Sequence, residues 1–98
     1  MRPYRVALIA KQDIEEIVTY YAKDSPAAAA ELLQEFIERF NLLGILPGLG
    51  RPRPEYAGLH VFPVRDFFVM YRPFGRGVEI ARVLHQARDL RAMFRKKK

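Results

Sequence analysis

Seven of the fifteen residues from 44 to 58 are glycine or proline: Gly44, Pro47, Gly48, Gly50, Pro52, Pro54 and Gly58. Neither a helix nor a central strand tolerates that density, because proline lacks an amide donor and glycine adds backbone freedom that folding must remove. The stretch cuts the chain into two parts whose apolar patterns differ, helical before it and alternating after it. Loops beyond about 12 residues are uncommon in compact domains and are often functional. This one displays Arg51 and Arg53.

Before the loop, residues 4–9 mix aromatic and β-branched side chains and read as a short strand. Ile14, Ile17, Val18 and Tyr21 then follow helical spacing. Asp13, Glu15 and Glu16 are placed in that helix's first turn, facing solvent, where the helix dipole favours negative charge. Ser25-Pro26 opens a second helix as N-cap and first-turn proline. Ala29, Leu32, Leu33, Phe36, Ile37, Phe40 and Leu43 form its apolar face, and Gly44 reads as its C-cap. The short link between the helices predicts an antiparallel hairpin.

After the loop, residues 59–64, 65–72 and 78–85 read as strands, with a turn at 73–77. The expectation is an α+β domain over residues 1–98. An N-terminal strand comes first, and an antiparallel helical hairpin packs on one face of a mostly antiparallel four-stranded sheet. A short C-terminal helical segment follows, and 91–98 form a basic tail.

The strands are apolar on both alternating faces. Phe67, Val69 and Tyr71 point one way, and Phe68 and Met70 the other. Ile80 and Leu84 flank Arg82 on one face, opposite Ala81 and Val83. A single helical hairpin covers one face, so the other is expected to stay bare and to take a partner segment or a second copy.

Charge is unevenly spread. Residues 1–50 carry 5 basic and 7 acidic side chains, whereas 51–98 carry 12 basic and 4 acidic, and 12 of the 17 cations are arginines. Arginine's planar fork suits carboxylates and phosphates, so an anionic partner is expected at the second half. With no cysteine and two histidines, thiolate metal sites, disulfides and a Cys nucleophile are excluded, and neither a metal nor a cofactor is expected. A chain of 98 residues has little room for a dinucleotide pocket of about 300–1,000 Å³. The five-residue apolar run before Lys11 is too short for a signal-peptide core or a membrane span, and a cytoplasmic location is expected.

The segment with most chemistry runs from Arg82 to Leu90. Arg82, among apolar neighbours, needs an anion: a phosphate, an antagonist's carboxylate, or an internal acid such as Glu79 or Asp66. His85 ends the strand as an acid–base group or a structural hydrogen bonder. Arg88 and Asp89 read as a local tie. Ser25, the only serine, is committed to capping, and no phosphate-cradling loop is present.

Taken in order, Tyr4-Arg5-Val6, Ile17 through Tyr21, Ser25-Pro26 with Ala29, Leu46-Pro47-Gly48-Leu49-Gly50-Arg51-Pro52, Gly58-Leu59, Val69-Met70-Tyr71-Arg72 and Val78 to Leu90 resemble toxins of the RelE/ParE superfamily, most closely the ParE branch. His60 stands where an arginine is usual. The resemblance implies the toxin of a type II toxin–antitoxin pair, a protein-binding poison of DNA gyrase that uses no cofactor. It would be silenced by the C-terminal segment of a small, usually acidic ParD-like antitoxin, bound over the sheet face. Phe68, Met70, Arg72, Arg82, Arg51 and Arg53 are then the expected antitoxin contacts. Arg88, Asp89, Arg91, Phe94 and Arg95 are the expected target contacts. The RelE branch implies an alternative, ribosome-dependent mRNA cleavage, with Arg82, His85, Arg65 and Arg51 recruited to a basic cleft. A third reading, direct nucleic-acid binding, requires strongly salt-dependent affinity.

Overall fold

The computed structural model describes residues 3–88. The C-terminal helical segment and basic tail expected above lie outside them. The elements run β1 (Tyr4–Val6), α1 (Leu8–Asp24), α2 (Pro26–Ile45), β2 (Arg51–Pro52), β3 (His60–Val64), β4 (Phe67–Phe74) and β5 (Gly77–His85). The two helices and the α+β layout follow the expectation. The sheet does not: it has five strands in the order β1-β5-β4-β3-β2 and is mixed, because β1 pairs parallel to β5. The fifth strand, β2, is a two-residue piece of the Gly/Pro loop laid antiparallel on β3.

The first strand ends at Val6, earlier than expected. Ala7 donates its N–H to Ile80 and its carbonyl already accepts from Lys11, so the ladder passes straight into the helix. Leu8 and Ile9 belong to α1 and remain 73% and 47% exposed. Their apolarity imitates a strand without serving the core. The early start moves Asp13 out of the first turn, with consequences described below.

Ser25 caps α2 as expected, its hydroxyl accepting from Ala28 N–H at 3.1 Å. Gly44, however, is not the cap. The helix continues to Ile45, and Gly44 is a point of close approach where a β-carbon would clash with the Pro3 backbone. The turn at 73–77 also shrinks to Gly75-Arg76, because Pro73 and Phe74 stay paired with Val78 and Gly77. Gly75 takes the positive φ of 57° that the tight turn needs.

The main core lies between the hairpin and one sheet face. Leu32, Phe36, Phe40 and Leu43 of α2 meet Phe67, Val69, Tyr71, Val78, Ile80 and Val83 of the sheet. The alternation along β4 is as predicted, but that along β5 is not. Met70 pairs with Arg82 while Tyr71 pairs with Ile80, leaving Ala81 as the extra residue of a bulge. The extra residue shifts the alternation, so Ile80 and Val83 share the helix-side core, while Ala81 and Leu84 face away.

The second sheet face is not bare. Tyr56 and Leu59 cluster there with Val61, Met70, Ala81 and Leu84, and Met70 is 0% exposed. The Gly/Pro segment makes this cover by folding back. Ala57 and Gly58 adopt left-handed φ values of 59° and 77°, and Arg53 N–H bonds the Leu59 carbonyl at 2.9 Å. A segment that reads as connector therefore supplies a second small core.

Because Gly44 and Pro3 are in backbone contact, Gly44→Ala is expected to destabilise the chain by about 1–3 kcal/mol despite alanine's better helix propensity. Urea unfolding followed by circular dichroism measures this. A more stable variant would show that the approach is loose.

Candidate functional site

Asp13 joins the helical hairpin to the bulged strand. It falls three residues after Ala10 and four before Ile17, within the stripe that α1 turns to the core, and is 9% exposed. β1 pairs with β5 only as far as Ile80. Beyond that point β5 has an open edge, and Asp13 Oδ2 accepts the Val83 N–H at 3.0 Å. Arg82 completes the arrangement, donating from Nε and an NH2 group to the two carboxylate oxygens at 2.8 and 3.0 Å. That hydrogen bond raises the Arg82 guanidinium further above its ordinary value, so it is a fixed cation. The partner is neither Glu79 nor Asp66, the acids expected from sequence. Sequence reasoning missed Asp13, although its position inside the apolar stripe, between Ala10 and Ile17, was a signal that pointed to it.

Of the other residues of the RNA-cleavage reading, Arg65 and His85 likewise have internal partners. Arg65 sits in the β3–β4 turn at φ 51° and donates to Glu35 of α2 at 2.7 Å. His85 is exposed, and its Nδ1 accepts the Ala87 N–H at 3.0 Å while its ring lies edge-on to Phe67. Arg51 is exposed on β2. An Arg82–His85–Arg65 set acting on RNA requires Arg82 and Arg65 to leave their carboxylates.

The loop that displays Arg51 is pinned from below. Tyr71, 0% exposed, donates its hydroxyl to the Pro47 carbonyl and accepts the Gly50 N–H, both at 2.7 Å. Its burial raises the phenol's pKa, so the hydroxyl stays protonated and able to donate. His60 Nδ1 donates to the Gly50 carbonyl at 3.1 Å, its ring 5.2 Å from that of Tyr71. Sequence reasoning missed this network. The departure at position 60 marked the place but not the role.

The expected antitoxin contacts divide by accessibility. Met70 is enclosed, Phe68 is half-buried beside it, and Arg82 is committed to Asp13. Arg53 binds Glu55 at 2.7 Å and stacks over Tyr56, and Arg72 binds Glu79 at 2.8 Å; both remain largely exposed at their outer edges. Of the expected target contacts, Arg88 is exposed, while Asp89, Arg91, Phe94 and Arg95 lie outside the described residues.

Part of the apolar surface open to solvent lies on the helices. A groove of about 260 Å³ between α1 and α2 is lined by Tyr4, Val6, Ile14, Leu33, Ile37 and Phe40 together with the charged Lys11 and Glu15. Leu33 and Ile37 are 37% and 36% exposed, although the sequence places both on the same apolar face as the core residues. Among the described residues, no helix is long and apolar enough to cross a membrane, and no group of three or more His, Cys, Asp or Glu is placed to hold a metal ion.

The sequence and the fold agree with known proteins. The family model described as the ParE toxin of the type II toxin–antitoxin system, parDE, matches residues 4–90. Toxin ParE1 of Caulobacter vibrioides is 35% identical over 94 residues, which is 94% of this chain and 97% of that protein. In fold, the chain is similar to a solved chain of the chromosomal ParDE TA system from P. aeruginosa, with a TM-score of 0.71 at 22% identity, covering 84% of this chain and 92% of that one.

Removing the Asp13 carboxylate leaves a largely buried guanidinium and a strand-edge N–H unanswered. Asp13→Ala is expected to cost about 3–5 kcal/mol, and the Asp13→Ala/Arg82→Leu pair clearly less than the sum of its parts. A double-mutant cycle from denaturant unfolding checks both. Additive losses would show that the two side chains do not depend on each other.

Proposed function

The chain belongs to the ParE toxin family, as the toxin of a type II toxin–antitoxin system, and from that premise we propose that it poisons DNA gyrase and is silenced by an antitoxin segment seated on its helical hairpin. The observation that carries the docking part is the α1–α2 groove, where Leu33 and Ile37 stay partly open in a mainly apolar lining that also holds Lys11 and Glu15. An amphipathic segment fits such a groove by placing its apolar face inward. Fully burying one aliphatic side chain contributes about 1.5–3 kcal/mol, so a few anchors give useful affinity. Arg51, Arg53 and Arg72 lie outside the groove and attract an acidic chain over longer range, chiefly raising the association rate.

Target contact is assigned to the C-terminal segment from Arg88 onward, with Asp89, Arg91, Phe94 and Arg95. It is strongly basic and distinct from the groove residues, so one partner need not compete with the other for the same side chains.

The deciding experiment incubates the purified chain with gyrase from its own host, ATP and plasmid DNA. Loss of supercoiling with trapped cleaved DNA, reversed by the antitoxin, is the expected result. A folded chain with no effect on gyrase, but with antitoxin-sensitive mRNA cleavage on ribosomes, would overturn it. Ile37→Glu is expected to weaken antitoxin binding by about tenfold or more without unfolding the chain. Calorimetric titration measures it, and unchanged affinity would remove the groove from the interface. Deletion of residues 91–98 is expected to leave the melting temperature nearly unchanged while lowering toxicity on induced expression. Full toxicity would move target contact elsewhere.

A further inference from the structure

The sheet face turned away from the helices changes character along its length. Its middle is the small core around Met70, but its far end is a row of charges. Tyr4 and Val6 pack toward the helix-side core, so Arg5 between them faces the other way. Arg5 and Arg72 are both register partners of Glu79, one on each neighbouring strand. Glu79 is 9% exposed and accepts Arg5 Nε at 3.1 Å and Arg72 Nε at 2.8 Å. One buried carboxylate thus holds two guanidinia in place. Arg5 also lies over the Phe74 ring at 4.6 Å, and that ring is 48% exposed. A cleft of about 410 Å³ opens between β1 and the β4–β5 turn, lined by Arg5, Phe74 and Arg76 with Pro3 and Val78. Arg76 is exposed and makes no ion pair among the described residues. Two arginines therefore flank one acid, and a third, Arg76, lines the adjoining cleft with Arg5 beside an open aromatic ring.

We propose that this cleft is a docking site for an extended acidic segment of a partner protein. Its carboxylate sits between Arg5 and Arg76, and an adjacent apolar side chain lies on Phe74. Arg5 is already oriented by Glu79 and by stacking, so little side-chain freedom remains to be lost on binding. The two unmatched positive charges select an anion, and the apolar walls select a side chain over a bare phosphate. A nucleic-acid strand fits less well: the positive patch is short, and the hairpin on the opposite face presents Glu15, Glu16, Glu31, Glu35 and Glu38. That the partner is the antitoxin rests on the toxin–antitoxin reading above. The carboxylate chemistry of the cleft does not.

The test is fluorescence anisotropy with a short labelled peptide of alternating Glu and Leu, its Gln counterpart, and a labelled single-stranded RNA. The Glu peptide is expected to bind about tenfold or more tightly than the Gln peptide. Arg76→Glu should remove most of that preference, and Phe74→Ala should weaken both peptides. Lys23→Glu, the same charge reversal on exposed α1, should change affinity by less than about twofold. Arg76 is in an exposed turn, so its variant keeps the fold, as a melting curve would verify. Equal binding of the Glu and Gln peptides, equal losses from Arg76→Glu and Lys23→Glu, or tighter Arg76-dependent binding of the RNA would each overturn the proposal. The antitoxin, titrated in parallel, keeps the two readings apart: if it ignores the wild-type chain while the peptide binds, the toxin–antitoxin reading fails and the site stands.

Discussion

The Asp13 carboxylate holds together parts of the fold that chain connectivity leaves separate. β1 is three residues long and stops beside Ile80, so the rest of β5 has an unpaired edge. A strand edge buried without partners is costly, because each lost amide hydrogen bond leaves a desolvated donor. Asp13 meets that donor from the helix above it, and Arg82 neutralises the carboxylate that does so. The bulge at Ala81 belongs to the same arrangement, since it places Val83 on the helix-side core together with Ile80. Arg82 looked like a residue for chemistry because it is a cation among apolar neighbours. The same facts describe a cation needed to bury an acid.

The surface divides into regions suited to different contacts. The outer helix faces carry most of the acids, the Gly/Pro loop and the end of the sheet carry arginines, and an apolar groove runs between the helices. Two internal tethers keep the arginine-bearing parts in place: Tyr71 and His60 under the loop, and Glu79 under Arg5 and Arg72. A protein that works by binding other proteins benefits from such pre-set cations, since less freedom is lost on contact. Membership of the ParE toxin family gives these surfaces a context, a toxin–antitoxin system.

Much of the helical half was legible in the residue pattern. Ser25-Pro26 marks a helix start by local chemistry alone, and the stripe through Leu32, Phe36, Phe40 and Leu43 turned inward as its spacing required. The β4 alternation also held, with Phe67, Val69 and Tyr71 on one face and Met70 on the other. The failures have a common form. Leu8 and Ile9 read as strand because apolarity carries no record of which side meets solvent. Gly44 read as a cap because its neighbour in space, Pro3, is far away in the chain. Met70 read as accessible because the cover from Tyr56 and Leu59 comes out of a segment with no apolar period.

Periodicity, caps and turn residues act over a few positions, and they settled the two helices, the three long strands, the helical hairpin and the α+β class. The residue content by itself sets the charge asymmetry, and the residue order the series of motifs that points to the family. The parallel β1–β5 pairing, the β5 bulge and the Asp13–Arg82 contact across 69 residues depended on which surfaces came together when the chain closed. A bulge changes the facing of every residue after it, and an ion pair requires two distant side chains to share one desolvated site. No local window contains either quantity, so they emerge only from packing.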